Sequence, residues 1–200
     1  MKLVGMLDSP YVRRVAISLE LYGVDFVHEA LSVFSTYAEF SAINPVVKAP
    51  TLVLEDGTVL MDSSLILDYF ERLAPTDKKL LPPDPDALAN DLQVLGLALA
   101  ACEKTVQIVY EHLLRPAEKL HEPWLDRVTG QLLAAYTLLE KHVPQPGGER
   151  PSQAALTAAV TWSLTQLKLP SMLKAETFPK LQRLASQLEQ HPAFKRYALE

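Results

Sequence analysis

Cysteine is nearly absent: Cys102 is the single thiol among 200 residues. One thiol excludes an internal disulfide and any cysteine-rich zinc site. The five histidines, His28, His112, His121, His142 and His191, are scattered, with no two spaced three to five residues apart. That scatter argues against a histidine metal centre, so metal-free chemistry is expected. Basic charge is also short. Lys and Arg number 19 against 24 Asp and Glu, for a net charge of −5, and no nucleic-acid partner is expected of so acidic a chain. No apolar run approaches the roughly 20 residues that cross a bilayer. The opening apolar stretch is cut short by Asp8 and Pro10, unlike a signal peptide. No membrane contact and a cytoplasmic location are expected. What is present is ordinary globular composition, 48% hydrophobic and 22% charged, enough for two small domains with real cores.

The pattern changes along the chain. Residues 2–6 read as a strand; Val12, Val15, Ala16 and Leu19 then recur at helical spacing, with Pro10 suited to the first turn and Gly23 to the end. Residues 24–28 form a second strand. After an irregular segment, residues 51–54 and 58–61 flank Asp56-Gly57, a strong hairpin signal. Leu65, Ile66, Tyr69, Phe70 and Leu73 mark one face of a helix. Strands joined by a helix are parallel and hairpin strands antiparallel, so an α+β module with a mixed sheet is expected over residues 1–75. Residues 76–85 hold Pro82, Pro83 and Pro85 and read, with Pro75, as a stiff linker that is neither helix nor central strand.

Residues 86–200 read as all-helical. Leu88, Leu92, Leu95, Leu99, Cys102, Val106, Val109 and Leu113 alternate spacings of four and three, predicting one long helix whose seam packs as bundle core. Leu125, Val128, Leu132, Ala135 and Leu139 predict a second helix. Ser152 caps a third that is apolar all round and therefore buried. Leu181, Leu184 and Leu188 mark a fourth, and His191-Pro192 introduces a short last one.

Three places in the first module carry candidate chemistry. Ser9 precedes Pro10 where the first strand meets the first helix; its hydroxyl either caps the helix or joins the unpaired amides there to meet an anion. Pro50 opens the third strand. It marks either a plain strand boundary or a cis peptide that turns the Ala49 backbone towards an extended ligand, with Lys48 beside it to meet a carboxylate. Asp62-Ser63 opens the next helix. The pair either caps it or holds an amino-acid head group, Asp62 taking the ammonium while Ser63 and the helix amides take the carboxylate.

The ordered set Ser9-Pro10-Tyr11-Val12-Arg13-Arg14-Val15, Asn44-Pro45, Lys48-Ala49-Pro50-Thr51-Leu52, Asp56-Gly57, Asp62-Ser63 and His191-Pro192-Ala193-Phe194 resembles the glutathione S-transferases. The likeness is to small bacterial members with serine at the active position, and it spans nearly the whole chain. It implies a thioredoxin-like N-terminal domain, an all-α C-terminal domain, glutathione as co-substrate without metal, and a homodimer. Ser9 would face the sulfur, Lys48 the glycine carboxylate and the Ala49 backbone the middle of the peptide. Pro50 would be cis, and Asp62 with Ser63 would hold the γ-glutamyl end. Two departures stand out. Val47 occupies a loop position where the family often has glycine. Ser152 is followed three residues on by Ala155 where the family has Asp, so half of a capping box is missing, which puts stability in doubt.

Serine at position 9 cannot form a mixed disulfide as cysteine would, which points to thiolate attack on an electrophile rather than redox exchange. A non-catalytic binding module, or a glutathione-dependent peroxidase or dehalogenase, are the alternatives. The second substrate is expected to be a hydrophobic small molecule between the first and the long helix, with Tyr11 and Tyr110 as candidate lining.

Overall fold

The computed structural model describes residues 1–147 and 149–199. They form two compact units, one comprising Met1–Leu81 and the chain from Gln190 onward, the other Pro82–Glu189.

The first unit runs β1 (Lys2–Val4), α1 (Pro10–Tyr22), β2 (Val27–Glu29), α2 (Tyr37–Ile43), β3 (Thr51–Val53), β4 (Val59–Leu60) and α3 (Ser63–Leu73). The sheet order is β2-β1-β3-β4, with β1 and β2 parallel and the remaining pairs antiparallel. This is the mixed, thioredoxin-like sheet that the resemblance implies. Leu3 and Val4 of β1, Leu52 of β3, Val12, Val15 and Leu19 of α1, and Ile66 and Phe70 of α3 are buried in its core. Gly23 ends α1 at φ 74°, where a left-handed residue lets its N–H reach Glu20 O at 3.0 Å while Val24 N–H reaches Leu19 O at 2.9 Å. At the hairpin, Asp56 Oδ1 accepts from Thr58 N–H at 2.9 Å and Gly57 adopts φ 86°.

Three expectations for this unit change. The irregular stretch contains α2, which buries Phe40 alone and so carries no readable period. The apolar face of α3 is turned from the expected one: Ile66, Leu67, Phe70 and Glu71 are buried, whereas Leu65 and Leu73 are 65% and 62% exposed. Glu71 is buried because its carboxylate accepts from Tyr22 Oη at 2.8 Å, Leu80 N–H at 3.0 Å and Leu81 N–H at 3.2 Å, tying down the connection that follows. That connection is not wholly irregular, since it includes a 3-10 turn at Thr76–Lys78, and Pro85 is the first residue of the next helix.

The second unit is helical: α4 (Pro85–Leu114), α5 (Glu122–Lys141), α6 (Gln153–Lys168) and α7 (Pro179–Leu188). By length and composition α4 is apolar enough to cross a membrane, yet it buries Val94, Ala98, Ala101, Cys102, Thr105 and Ile108 within the protein. This face is rotated from the predicted seam. Leu92 and Leu113 are 47% and 69% exposed, and of the predicted set Cys102 alone is fully buried. Small side chains occupy the buried stripe because α5 and α6 pack there, and large leucines flank it. α6 is buried almost all round, as its composition predicts.

The cap of α6 removes the doubt raised by Ala155. Ser152 Oγ accepts from Ala155 N–H at 3.2 Å and itself donates to Asp91 Oδ1 at 2.6 Å, while Ala154 N–H donates to Asp91 Oδ2 at 3.4 Å. The carboxylate missing from the capping box is thus supplied by α4.

The last helix, α8 (Pro192–Arg196), packs with the first unit rather than with the helical residues 86–189 that precede it. Arg13, fully buried, donates from Nε to Tyr197 O at 2.8 Å and lies over the Phe194 ring; Arg196 Nη1 meets both carboxylate oxygens of Glu20, at 2.6 and 2.8 Å.

Candidate active site

The candidate residues lie at three places in the first unit, and buried contacts connect those places. Ser9 is the N-cap of α1. Its Oγ accepts from Val12 N–H at 3.4 Å, a long bond, so the hydroxyl and the first turn of the helix are only loosely engaged with one another. Gly5, at φ 139°, precedes this turn. A Cβ there would come within 2.5 Å of Val12 Cγ2 and 3.3 Å of Ala49 Cβ, so glycine allows the Ala49 loop and the first turn of α1 to converge.

Around Pro50 the Ala49–Pro50 peptide is cis, as expected. Pro50 itself is buried and Lys48 exposed. Among the described residues, no hydrogen bond engages the Ala49 N–H or C=O, and no acid pairs with the Lys48 ammonium. Val47 adopts φ 51°. The loop therefore follows a path that suits glycine, with a β-branched residue held in the left-handed region at a cost of roughly 1–2 kcal/mol. Val47→Gly is expected to relieve that cost, less the extra entropy of an unfolded glycine, for a net stabilisation of about 1 kcal/mol. A thermal melt should rise by about 2–4 °C; a lower midpoint would show that Val47 packing outweighs the strain.

At the third place Asp62 is the N-cap of α3. Its Oδ1 accepts from Ser64 N–H at 2.9 Å and Leu65 N–H at 3.4 Å, and the carboxylate is exposed. The Met61–Asp62 peptide is also cis. Ser63 is buried, and its Oγ accepts from Arg14 Nη1 at 3.1 Å; the same nitrogen donates to Ser64 Oγ at 3.3 Å. Because Arg14 can only donate, each serine hydroxyl keeps its own proton for an acceptor.

Sequence reasoning missed Gly5, Arg14 and the buried Asn44. Arginine reads as a solvated residue, and two arginines in a helix otherwise patterned for the core were the available signal. Of the two residues suggested for a second substrate, Tyr11 is half-buried in α1 of the first unit, and Tyr110 stands on α4 of the second. Among the described residues no group of three or more His, Cys, Asp or Glu is placed to hold a metal.

Residues 3–79 match the family described as glutathione S-transferase, N-terminal domain. The GST-like protein YibF of Escherichia coli is 32% identical over 66% of this chain and 70% of its own length. The maleylacetoacetate isomerase of Pseudomonas aeruginosa is 27% identical over 98% of this chain and 94% of its own. Among solved structures, a glutathione S-transferase of Methylobacterium radiotolerans in complex with glutathione sulfonate superposes with a TM-score of 0.88, at 26% identity over 98% of this chain and 93% of that one. A glutathione transferase family member of Pseudomonas fluorescens with bound glutathione gives 0.87, at 28% identity over 100% and 98%. The chain belongs to the glutathione S-transferase family.

Proposed function

We propose that the protein is a glutathione-dependent transferase in which Ser9 stabilises the glutathione thiolate for attack on a hydrophobic electrophile. The observation that carries this reading is a set of groups on the first unit that, among the described residues, are unpaired or keep hydrogen-bonding capacity to spare. An unpaired Lys48 ammonium, an unpaired Ala49 backbone and the exposed Asp62 carboxylate beside the Arg14-backed serines complement glutathione's glycine carboxylate, its backbone and its γ-glutamyl ammonium and carboxylate in turn. Glutathione bound in one structural relative and glutathione sulfonate in another support the same assignment.

A thiol near pKa 8.5 is little ionised at neutral pH, and lowering it by about two units needs roughly 2.7 kcal/mol of preference for the anion. A hydrogen bond to a charged group contributes roughly 1.5–3 kcal/mol and a helix N-terminus roughly 0.3–1 kcal/mol. Ser9 together with the first turn of α1 suffices. The reaction belongs to the cytosol, where glutathione keeps thiols reduced. A homodimer accords with the exposed Leu65, Tyr69 and Leu73 of α3 and Leu92 and Leu113 of α4.

A second reading, isomerisation, is favoured by the full-length likeness to maleylacetoacetate isomerase. The two differ in the fate of glutathione: a transferase consumes it, whereas an isomerase that adds the thiolate must return it. Incubating the protein with glutathione and either an aromatic electrophile or maleylacetoacetate, and counting thiol consumed per product, tests both. Stoichiometric loss of thiol with the electrophile supports the transferase. Turnover of maleylacetoacetate without thiol loss supports the isomerase, and uptake of glutathione with neither activity would leave a binding module.

A further inference from the structure

We propose that Asn44 is the positioning residue through which this site reads the glycine end of glutathione; the inference rests on the glutathione reading above. The Asn44 side chain is 3% exposed and its amide is engaged at both ends. Oδ1 accepts from Val46 N–H at 3.0 Å, while Nδ2 donates to Thr51 Oγ1 at 2.8 Å and to Met61 Sδ at 3.3 Å. The Thr51 hydroxyl passes the contact on by donating to Lys48 O at 2.6 Å, and the Asn44 backbone carbonyl accepts from Val47 N–H at 2.9 Å.

The buried amide therefore fixes Val46 directly and Lys48 through Thr51, while the backbone carbonyl of the same residue holds Val47 between them. This is the segment that holds Val47 in its left-handed conformation. With its carbonyl held by Thr51, Lys48 leaves its side chain in solvent, and the next residue, Ala49, leaves its backbone polar groups unpaired among the described residues. A loop under strain keeps such a path only while its surroundings over-determine it. Remove the amide, and Val46 loses its tie while Thr51 loses the donor that orients its hydroxyl; with the backbone bond to Val47 alone remaining from Asn44, the segment can relax and carry the Lys48 ammonium away from its place. A thioether is a weak acceptor, so the tie to Met61, the neighbour of Asp62, is the least of the set. The loss falls on the Lys48 end.

Titration calorimetry on the full chain compares glutathione with γ-glutamylcysteine, the same peptide without its glycine. The wild type is expected to prefer glutathione. Asn44→Ala should narrow that preference about three- to tenfold while leaving affinity for the dipeptide within about twofold, and adding Asn44→Ala to Lys48→Ala should narrow it no further than Lys48→Ala alone. A purely structural defect would weaken both peptides together. Equal weakening, or an unchanged preference, would overturn the inference and leave the glutathione reading standing. Failure of the wild type to bind either peptide would overturn both. Should Asn44→Ala not fold, Thr51→Val keeps the side-chain shape, removes the hydroxyl that holds Lys48 O, and is judged on the same two peptides by the same outcomes.

Discussion

Ser9→Ala is expected to slow conjugation of an aromatic electrophile roughly ten- to a hundredfold at neutral pH, because it removes the proposed hydrogen bond to the thiolate, a contribution of roughly 1.5–3 kcal/mol. The sign follows from which form the hydroxyl favours. Donation to the sulfur stabilises the anion and lowers the pKa of the bound thiol; without it the pKa moves back towards the free value. The deficit should therefore be largest near pH 7 and shrink as pH rises past the free thiol pKa, where both variants hold thiolate. Glutathione affinity should change little, since Lys48, Ala49, Asp62 and Ser63 are proposed to hold the remainder of the peptide. Stability should also change little, because the cap bond from Val12 N–H to Ser9 Oγ is already long at 3.4 Å. Thiolate ultraviolet absorbance against pH, paired with initial rates, makes the measurement. Identical absorbance curves and rates for the two variants would reduce Ser9 to a helix cap.

Removing the charge of Asp62 should cost glutathione affinity by a similar factor, and two substitutions separate its two tasks. Asp62→Asn keeps an oxygen to accept from Ser64 N–H but cannot pair as an anion with the γ-glutamyl ammonium. Its melting temperature should stay near that of the wild type while its dissociation constant for glutathione rises roughly ten- to a hundredfold. Asp62→Ala should show the same loss of affinity together with about 1 kcal/mol of lost stability from the uncapped α3. Calorimetry that finds Asp62→Asn binding as tightly as wild type would confine Asp62 to capping.

Several of these features were legible in the sequence because each depends on near neighbours. Pro10 and Gly23 bracket α1, Asp56-Gly57 turns the hairpin, and Asp62 caps α3, all within a few residues of the groups they satisfy. What escaped reading depends on residues far apart. Asp91 completes a cap 61 positions away at Ser152, and Arg14 meets Ser63 49 positions away. The long helix was read by its leucines, yet alanines and Thr105 form its buried stripe, since close helix packing selects small side chains. Val47 stands where the family often has glycine, yet the buried contacts of Asn44 and Thr51 hold the loop path and Val47 bears the strain.

The return of residues 190–197 to the first unit bears on how the molecule is assembled. Arg13 is sequestered against Phe194 and Tyr197, the latter 184 positions further along the chain. The thioredoxin-like module is therefore discontinuous in the chain, with the helical bundle as an insertion between its two parts. A nascent chain that has delivered all of α3 still lacks Phe194 and Tyr197, so the contacts of Arg13 with them form only after the helical bundle has been made. Cutting the gene at the proline-rich connection would give one fragment with an unsealed sheet module and another carrying the seal, so the natural fragment boundary for this protein is not the one its linker suggests.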